Sequence, residues 1–142
     1  MNVSPVFTSW LAENGLSEVF TTPAGDSFYA NTLKKFGVLR KLSENGVRSF
    51  YLDDIIDIQT FDDENQIAHW NYYNNMMVLP LSTRFSTNEV FIKITLRNQM
   101  VLKLQVFHGT RGNISRNTPE HIQMMNYACS LTRALSDLAQ TR

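Results

Sequence analysis

The chain has 142 residues, with 13 Lys and Arg balanced by 13 Asp and Glu, three His and one Cys. That length suits a single domain, and the 43% apolar and 18% charged content excludes an extended disordered chain. Zero net charge argues against bulk binding of nucleic-acid phosphates, and one cysteine excludes a disulfide-stapled scaffold.

In chain order, the first predicted element is a short helix over Pro5 to Glu13. Ser4 is its expected N-cap, Pro5 fits the first helical position, and Asn14-Gly15 is a stop. Val6, Phe7 and Trp10 fall near one face. A piece this short must dock on something larger. Thr22 to Asp26 reads as a turn. Phe36 to Leu42 and Val47 to Leu52 read as a hairpin joined through Ser43-Glu44-Asn45-Gly46, where Gly46 is available for a positive φ. Asp53-Asp54 interrupts before a third strand, Ile55 to Phe61, rich in β-branched residues.

Residues 66–88 are aromatic, low in charge and punctuated by Pro80, and are expected to form an excursion between two strands. The clearest strand pair follows. Val90, Ile92, Ile94 and Leu96 lie on one face, and Met100, Leu102, Leu104 and Val106 on one face of the next strand. Opposed residues share a face, so Leu96 should oppose Met100 and Ile94 should oppose Leu102. That register requires a three-residue loop, Arg97-Asn98-Gln99. The last element is a helix from Thr118 as N-cap and Pro119 as first residue. Its apolar stripe is predicted as Met124, Ala128, Leu131, Leu135 and Leu138, flanked by Ile122, Met125, Cys129 and Thr132.

These elements predict one α+β domain over residues 1–142. It comprises an N-terminal helical segment (1–20), a mainly antiparallel sheet (28–107) and a long C-terminal helix (118–140). About seven strands are expected to curl into a barrel or sandwich capped by that helix. The stretch Val47-Arg48-Ser49-Phe50-Tyr51-Leu52-Asp53-Asp54-Ile55-Ile56-Asp57-Ile58 resembles a stretch in uncharacterised bacterial and phage pleckstrin-homology-like domains. So does the run from Phe91 to Val106 with its polar loop, Tyr127 and the Leu131/Leu135/Leu138 helix. The resemblance covers roughly residues 28–140 and implies a pleckstrin-homology-like fold and a non-enzymatic bias. It contains no catalytic signature, and the Cys-rich zinc ribbon that often precedes such domains is missing.

The start has no basic n-region or apolar h-region of a leader. The longest apolar run, Met76 to Leu81, is far short of the ~20 residues that span a bilayer. A cytoplasmic protein with no transmembrane segment is expected, peripheral membrane contact being possible. His69, His108 and His121 lack metal-ligand spacing, so no metal and no cofactor are expected. Asp53, Asp54, Asp57, Asp62, Asp63 and Glu64 read mainly as a solvated edge, with docking of a basic partner or acid–base work as alternatives. Cys129 lies in an apolar helical row, where a thiol is inert.

Two binding surfaces follow. Trp70, Tyr72, Tyr73, Met76 and Met77 form the densest group of large side chains outside the periodic elements. They are candidate contacts for a protein partner or a second copy, together with sheet edges. The alternative is that they fold over the core. Lys34, Lys35, Arg40, Lys41 and Arg48, on or beside the first hairpin, are candidates for an anionic lipid or small-ligand headgroup. A small enzyme with a pocket between helix and sheet is the third reading, and it requires Asp57, His69 or His121 to converge in one cleft. Charge is segregated along the chain, with −3 over residues 1–33, +4 over 34–48, −6 over 53–64 and +5 over 84–116. Such patches steer partners even at zero net charge.

Overall fold

Alternation of apolar and polar residues, broken by turns, folds most of this chain into antiparallel strands. A computed structural model describes residues 5–44, 46–71, 76–78, 86–109, 114–115 and 118–140. The order is α1 (Pro5–Glu13), β1 (Ser17–Thr21), β2 (Ser27–Asn31), β3 (Phe36–Arg40), β4 (Val47–Tyr51), a 3-10 turn (Leu52–Asp54), β5 (Ile55–Asp62) and β6 (Asn65–Asn71). Then come β7 (Met76–Val78), β8 (Ser86–Thr87), β9 (Glu89–Leu96), β10 (Val101–His108), β11 (Ile114–Ser115) and α2 (Pro119–Gln140).

The domain is α+β, with a four-stranded sheet in the order β1-β2-β3-β4, a five-stranded sheet in the order β10-β9-β5-β6-β7, and a two-stranded ladder β11-β8. Among the described residues no sheet closes into a barrel. The first sheet is a plain meander. In the second, β5 sits between β6 and β9, so β9 returns past β6 and β7 to pair with it.

The predicted β9–β10 register is observed from Val101 to Gln105, with Ile94 opposite Leu102 and Ile92 opposite Leu104; a bulge then skips Val106 so that Phe107 faces Val90, and Met100, expected on the buried face, is exposed. The three-residue loop is closed by Leu96 N–H donating to the Met100 carbonyl at 2.9 Å. Gln99 takes φ +68°, as the last residue of such a loop requires. The first hairpin pairs Phe36 with Tyr51 and Arg40 with Val47. Residues 1–20 are not all helical, because β1 begins at Ser17. Its only buried side chain is Phe20, so no alternation marked it. Residues 66–71, read as the start of an excursion, continue the sheet in β6. Ser4, the expected cap of α1, lies outside the described residues.

The main core lies between the inner faces of both sheets and α2. It includes Phe28, Leu39 and Phe50 from the first sheet, Ile58, Trp70, Ile92, Ile94 and Leu104 from the second, and Met125, Leu131 and Leu135 from the helix. A smaller cluster, Leu16, Tyr29 and Val38, packs against Phe7, Trp10 and Leu11, so α1 covers the opposite face of the first sheet. A nine-residue helix is marginal alone and is held by this docking.

The N-terminus of α2 is capped as predicted, with His121 N–H donating to Thr118 Oγ1 at 3.2 Å. The buried stripe is rotated from the predicted one. Met125, Ala128, Leu131, Leu135 and Ala139 are buried together with His121, Thr132 and Ser136, whereas Met124 and Leu138 are only half-buried and Ile122 is exposed. The rotation is accommodated by polar partners on β5 and within the helix. His121 Nε2 donates to Asp62 Oδ2 at 3.4 Å, Thr132 donates to the Ala128 carbonyl at 2.9 Å, and Thr60 bonds the Thr132 hydroxyl. A buried hydroxyl or imidazole is tolerated once bonded, so hydrophobicity alone misplaced the helix face.

The two sheets are also tied at a corner. Asp26, 3% exposed, accepts the Leu42 N–H at 2.9 Å through Oδ1 and the Gln105 N–H at 2.8 Å through Oδ2. Ala24 N–H bonds the Val106 carbonyl and Thr22 Oγ1 the Gln105 carbonyl, so the β1–β2 turn covers part of the β10 edge.

Candidate functional site

The five-stranded sheet has one face in the core and one facing outward, and strand alternation decides which residues reach each. On β5, Ile58, Thr60 and Asp62 are buried, which turns Asp57, Gln59 and Phe61 outward. On β9, Val90, Ile92, Ile94 and Leu96 are buried, which turns Phe91, Lys93 and Thr95 outward. Pairing then builds three rows across the outer face. One is Gln66, Phe61, Phe91 and Gln105; the next is His69, Gln59, Lys93 and Lys103; the third is Asn71, Asp57, Thr95 and Val101.

The first row carries two phenyl rings on a surface where polar side chains are the norm. Phe61 and Phe91 are direct cross-strand partners, stacked at 5.2 Å between centroids with planes 19° apart. Both are half-buried. Lys103 Nζ lies 4.3 Å from the Phe91 centroid and 2.6 Å from Glu89 Oε1, so it caps one ring and neutralises one carboxylate. Burial pushes the Glu89 carboxyl up, but hydrogen bonds from Lys103 and Gln105 and the charges of Lys103 and His108 outweigh it and hold the group below its ordinary value. These rings form the floor of a groove of about 770 Å³ that also touches Asp63, Glu64, Lys93 and Val101. That volume falls within the range of small-ligand and side-chain pockets.

On the same face His69 Nε2 donates to Asp57 Oδ1 at 2.6 Å, and Asn71 Nδ2 donates to the same oxygen at 3.1 Å. Thus Asp57 and His69 do converge, but on the outer surface. His121 is on the other side of the sheet, bonded to Asp62 in the core. The convergence that the enzyme reading requires is thus met by Asp57 and His69 on the outer face and not between helix and sheet, where buried Thr60, Asp62 and Thr132 occupy the layer between α2 and β5. Among the described residues no group of three or more His, Cys, Asp or Glu side chains is placed to hold a metal ion. Burial raises the Cys129 thiol above its ordinary value, a partial counter-effect coming from Arg133.

The other predicted site residues are dispersed or buried. Trp70, expected on a partner-binding surface, is 1% exposed. It occupies an inward position of β6 opposite Ile58, and its large apolar area is used in the core. Met76 and Met77 belong to β7, which pairs with β6, and Tyr72 and Tyr73 lie outside the described residues. The basic set splits between the two ends of β3. Lys34 and Lys35 lie in the β2–β3 turn, with Lys35 3.7 Å from Asp53. Arg40, Lys41 and Arg48 lie at the other end: Arg40 sits 5.6 Å over the Phe7 ring, Lys41 donates to the Lys103 carbonyl at 2.7 Å, and Arg48 pairs with Glu44 at 3.5 Å. A five-residue strand holds the two groups roughly 15 Å apart.

The Phe61/Phe91 platform was not singled out from sequence. The available signal was an aromatic at an outward position of each alternating strand, where the pattern calls for a polar residue. No helix among the described residues is long and apolar enough to cross a membrane. Comparison of the chain with protein-family models, curated proteins and solved structures gives no match.

Proposed function

We propose that the chain is a non-enzymatic interaction module that binds a protein partner on the outer face of its five-stranded sheet. The observation that carries this reading is the stacked Phe61/Phe91 pair, held rigidly by the β5–β9 ladder at the floor of a groove. Rigid aromatic side chains lose little entropy on binding and dominate the energetic centres of interfaces. The order of elements (a four-stranded meander, a second sheet with a strong hairpin, then a C-terminal helix) supports the pleckstrin-homology-like reading of the fold. Headgroup binding through Lys34, Lys35, Arg40, Lys41 and Arg48 has less support, because those cations are separated and most are engaged within the domain.

The test is selection of random displayed peptides on the full chain, followed by affinity measurement on Phe61→Ala, Phe91→Ala and the double variant. The selected peptides are expected to bind the double variant at least tenfold more weakly, with the melting transition of the variants still cooperative. Equal binding to the double variant, or no selected peptide at all, refutes the proposal.

A further inference from the structure

Resting on the interaction-surface reading above, we infer that the groove recognises an extended acidic–aromatic segment of a partner protein, with a carboxylate-bearing residue two positions from an aromatic one. The carboxylate pairs with Lys93 and the aromatic ring rests on Phe61 and Phe91. The first support is charge. Lys93 and Lys103 stand directly opposite each other across β9 and β10, a like-charge pairing that weakens a sheet. Lys103 resolves its half by turning to Glu89 at 2.6 Å and over the Phe91 ring. Lys93 has no carboxylate within ion-pair distance among the described residues, and it lines the groove beside the aromatic floor. An incoming anion would therefore neutralise the one outward cation of this row that the domain leaves uncompensated.

The groove also carries Asp63, Glu64 and Glu89, and none of the three lies within ion-pair distance of Lys93. Glu89 is neutralised by Lys103. The Asp63 carboxylate accepts the backbone N–H groups of Asn88 and Glu89 at 3.1 and 2.9 Å, just past the end of β5, four residues from the Gln59 that pairs with Lys93. The second support is spacing. Phe91 and Lys93 are two residues apart on one strand, so their side chains leave the same face about 7 Å apart. An extended segment laid on the sheet presents its own i and i+2 side chains at that same repeat. A ring set against Phe61 and the part of Phe91 that Lys103 does not cover thus brings a carboxylate two residues away over Lys93. A phosphate-bearing chain would place repeated charge along the acidic end as well, which favours a peptide over a nucleic acid.

The probes are three capped tripeptides, Ac-Trp-Ser-Glu-NH2 and its Gln and Lys counterparts, titrated into the 15N-labelled full chain. The Glu peptide is expected to shift the amides of Phe61, Phe91 and Lys93. It should bind about tenfold more tightly than the Gln peptide at low salt, with the advantage fading as salt screens the pair. Lys93→Glu is expected to invert the order so that the Lys peptide binds best, and Lys93→Gln to abolish the discrimination between charges. Equal binding of the Glu and Gln peptides at the groove overturns the inference while leaving the groove reading intact. So does an unchanged order in both Lys93 variants. Failure of all three peptides to shift the groove amides overturns this inference, and the displayed-peptide selection then decides the broader reading separately.

Discussion

Asp26 is the single side chain whose removal should most loosen the joint between the two sheets. Its oxygens accept the Leu42 and Gln105 backbone N–H groups at 2.9 and 2.8 Å, and the residue is 3% exposed. Hydrogen bonds to a charged group contribute about 1.5–3 kcal/mol each, so Asp26→Ala loses up to roughly 3–6 kcal/mol, reduced to about 3–4 as water reaches the truncated site. Asp26→Asn is more discriminating. The amide offers one oxygen and one NH2, so one backbone N–H faces another donor whichever way the amide turns, costing about 1.5–3 kcal/mol. Lys41 approaches Asp26 only to 4.0 Å and gives its short bond to the Lys103 carbonyl. Lys41→Met should therefore cost at most about 1 kcal/mol.

Urea unfolding followed by far-UV circular dichroism reads these differences. With a slope of about 2 kcal/mol/M, the midpoint falls by about 1.5–2 M for Asp26→Ala and about 1 M for Asp26→Asn. An Asp26→Asn variant within about 0.5 kcal/mol of wild type would refute the two-acceptor account of this joint.

Two further outcomes follow from local geometry. A methyl at Gly37 would meet Leu52 Cδ2 at 2.9 Å and the Phe28 and Phe50 rings at 3.1 Å. Gly37→Ala should thus cost about 1–3 kcal/mol by crowding a filled core, measured in the same urea assay. Glu89, whose carboxyl is held below its ordinary 4.5, favours the folded state when ionised. The stabilisation is present above its unfolded value and is lost as pH falls through the lowered folded value. The stability difference between wild type and Glu89→Gln should therefore shrink in acid below about pH 4.5, and a pH-independent difference would contradict the Lys103 and Gln105 contacts.

Where periodicity and punctuation agree, the chain could be read directly. The even-numbered apolar positions of β9 and β10 dictated the three-residue loop and the buried face, Met100 beside that loop being the one position that stays exposed. Thr118-Pro119 marked the start of α2. Other elements offered no such agreement. β1 buries only Phe20, and β6 enters through a register shift between Thr60 and Phe61, so neither shows a clean period of two. The α2 face was misread because His121 and Ser136 are buried with hydrogen-bond partners that lie elsewhere in the fold or along the helix. Trp70 drew attention by size, but size does not tell inward from outward; Phe61 and Phe91 acquire meaning only once β5 and β9 are known to be neighbours.

That neighbourhood also sets how long a loop the second sheet has to close. The first sheet is built of successive local hairpins, whereas β5 pairs with β9 across the intervening β6, β7 and β8, a loop closure of higher entropic cost. The aromatic platform straddles this ladder and so does not exist until β5 and β9 have paired. Any occupant consequently binds only chains in which β5 and β9 are paired, and stabilises them by RT ln(1 + [L]/Kd).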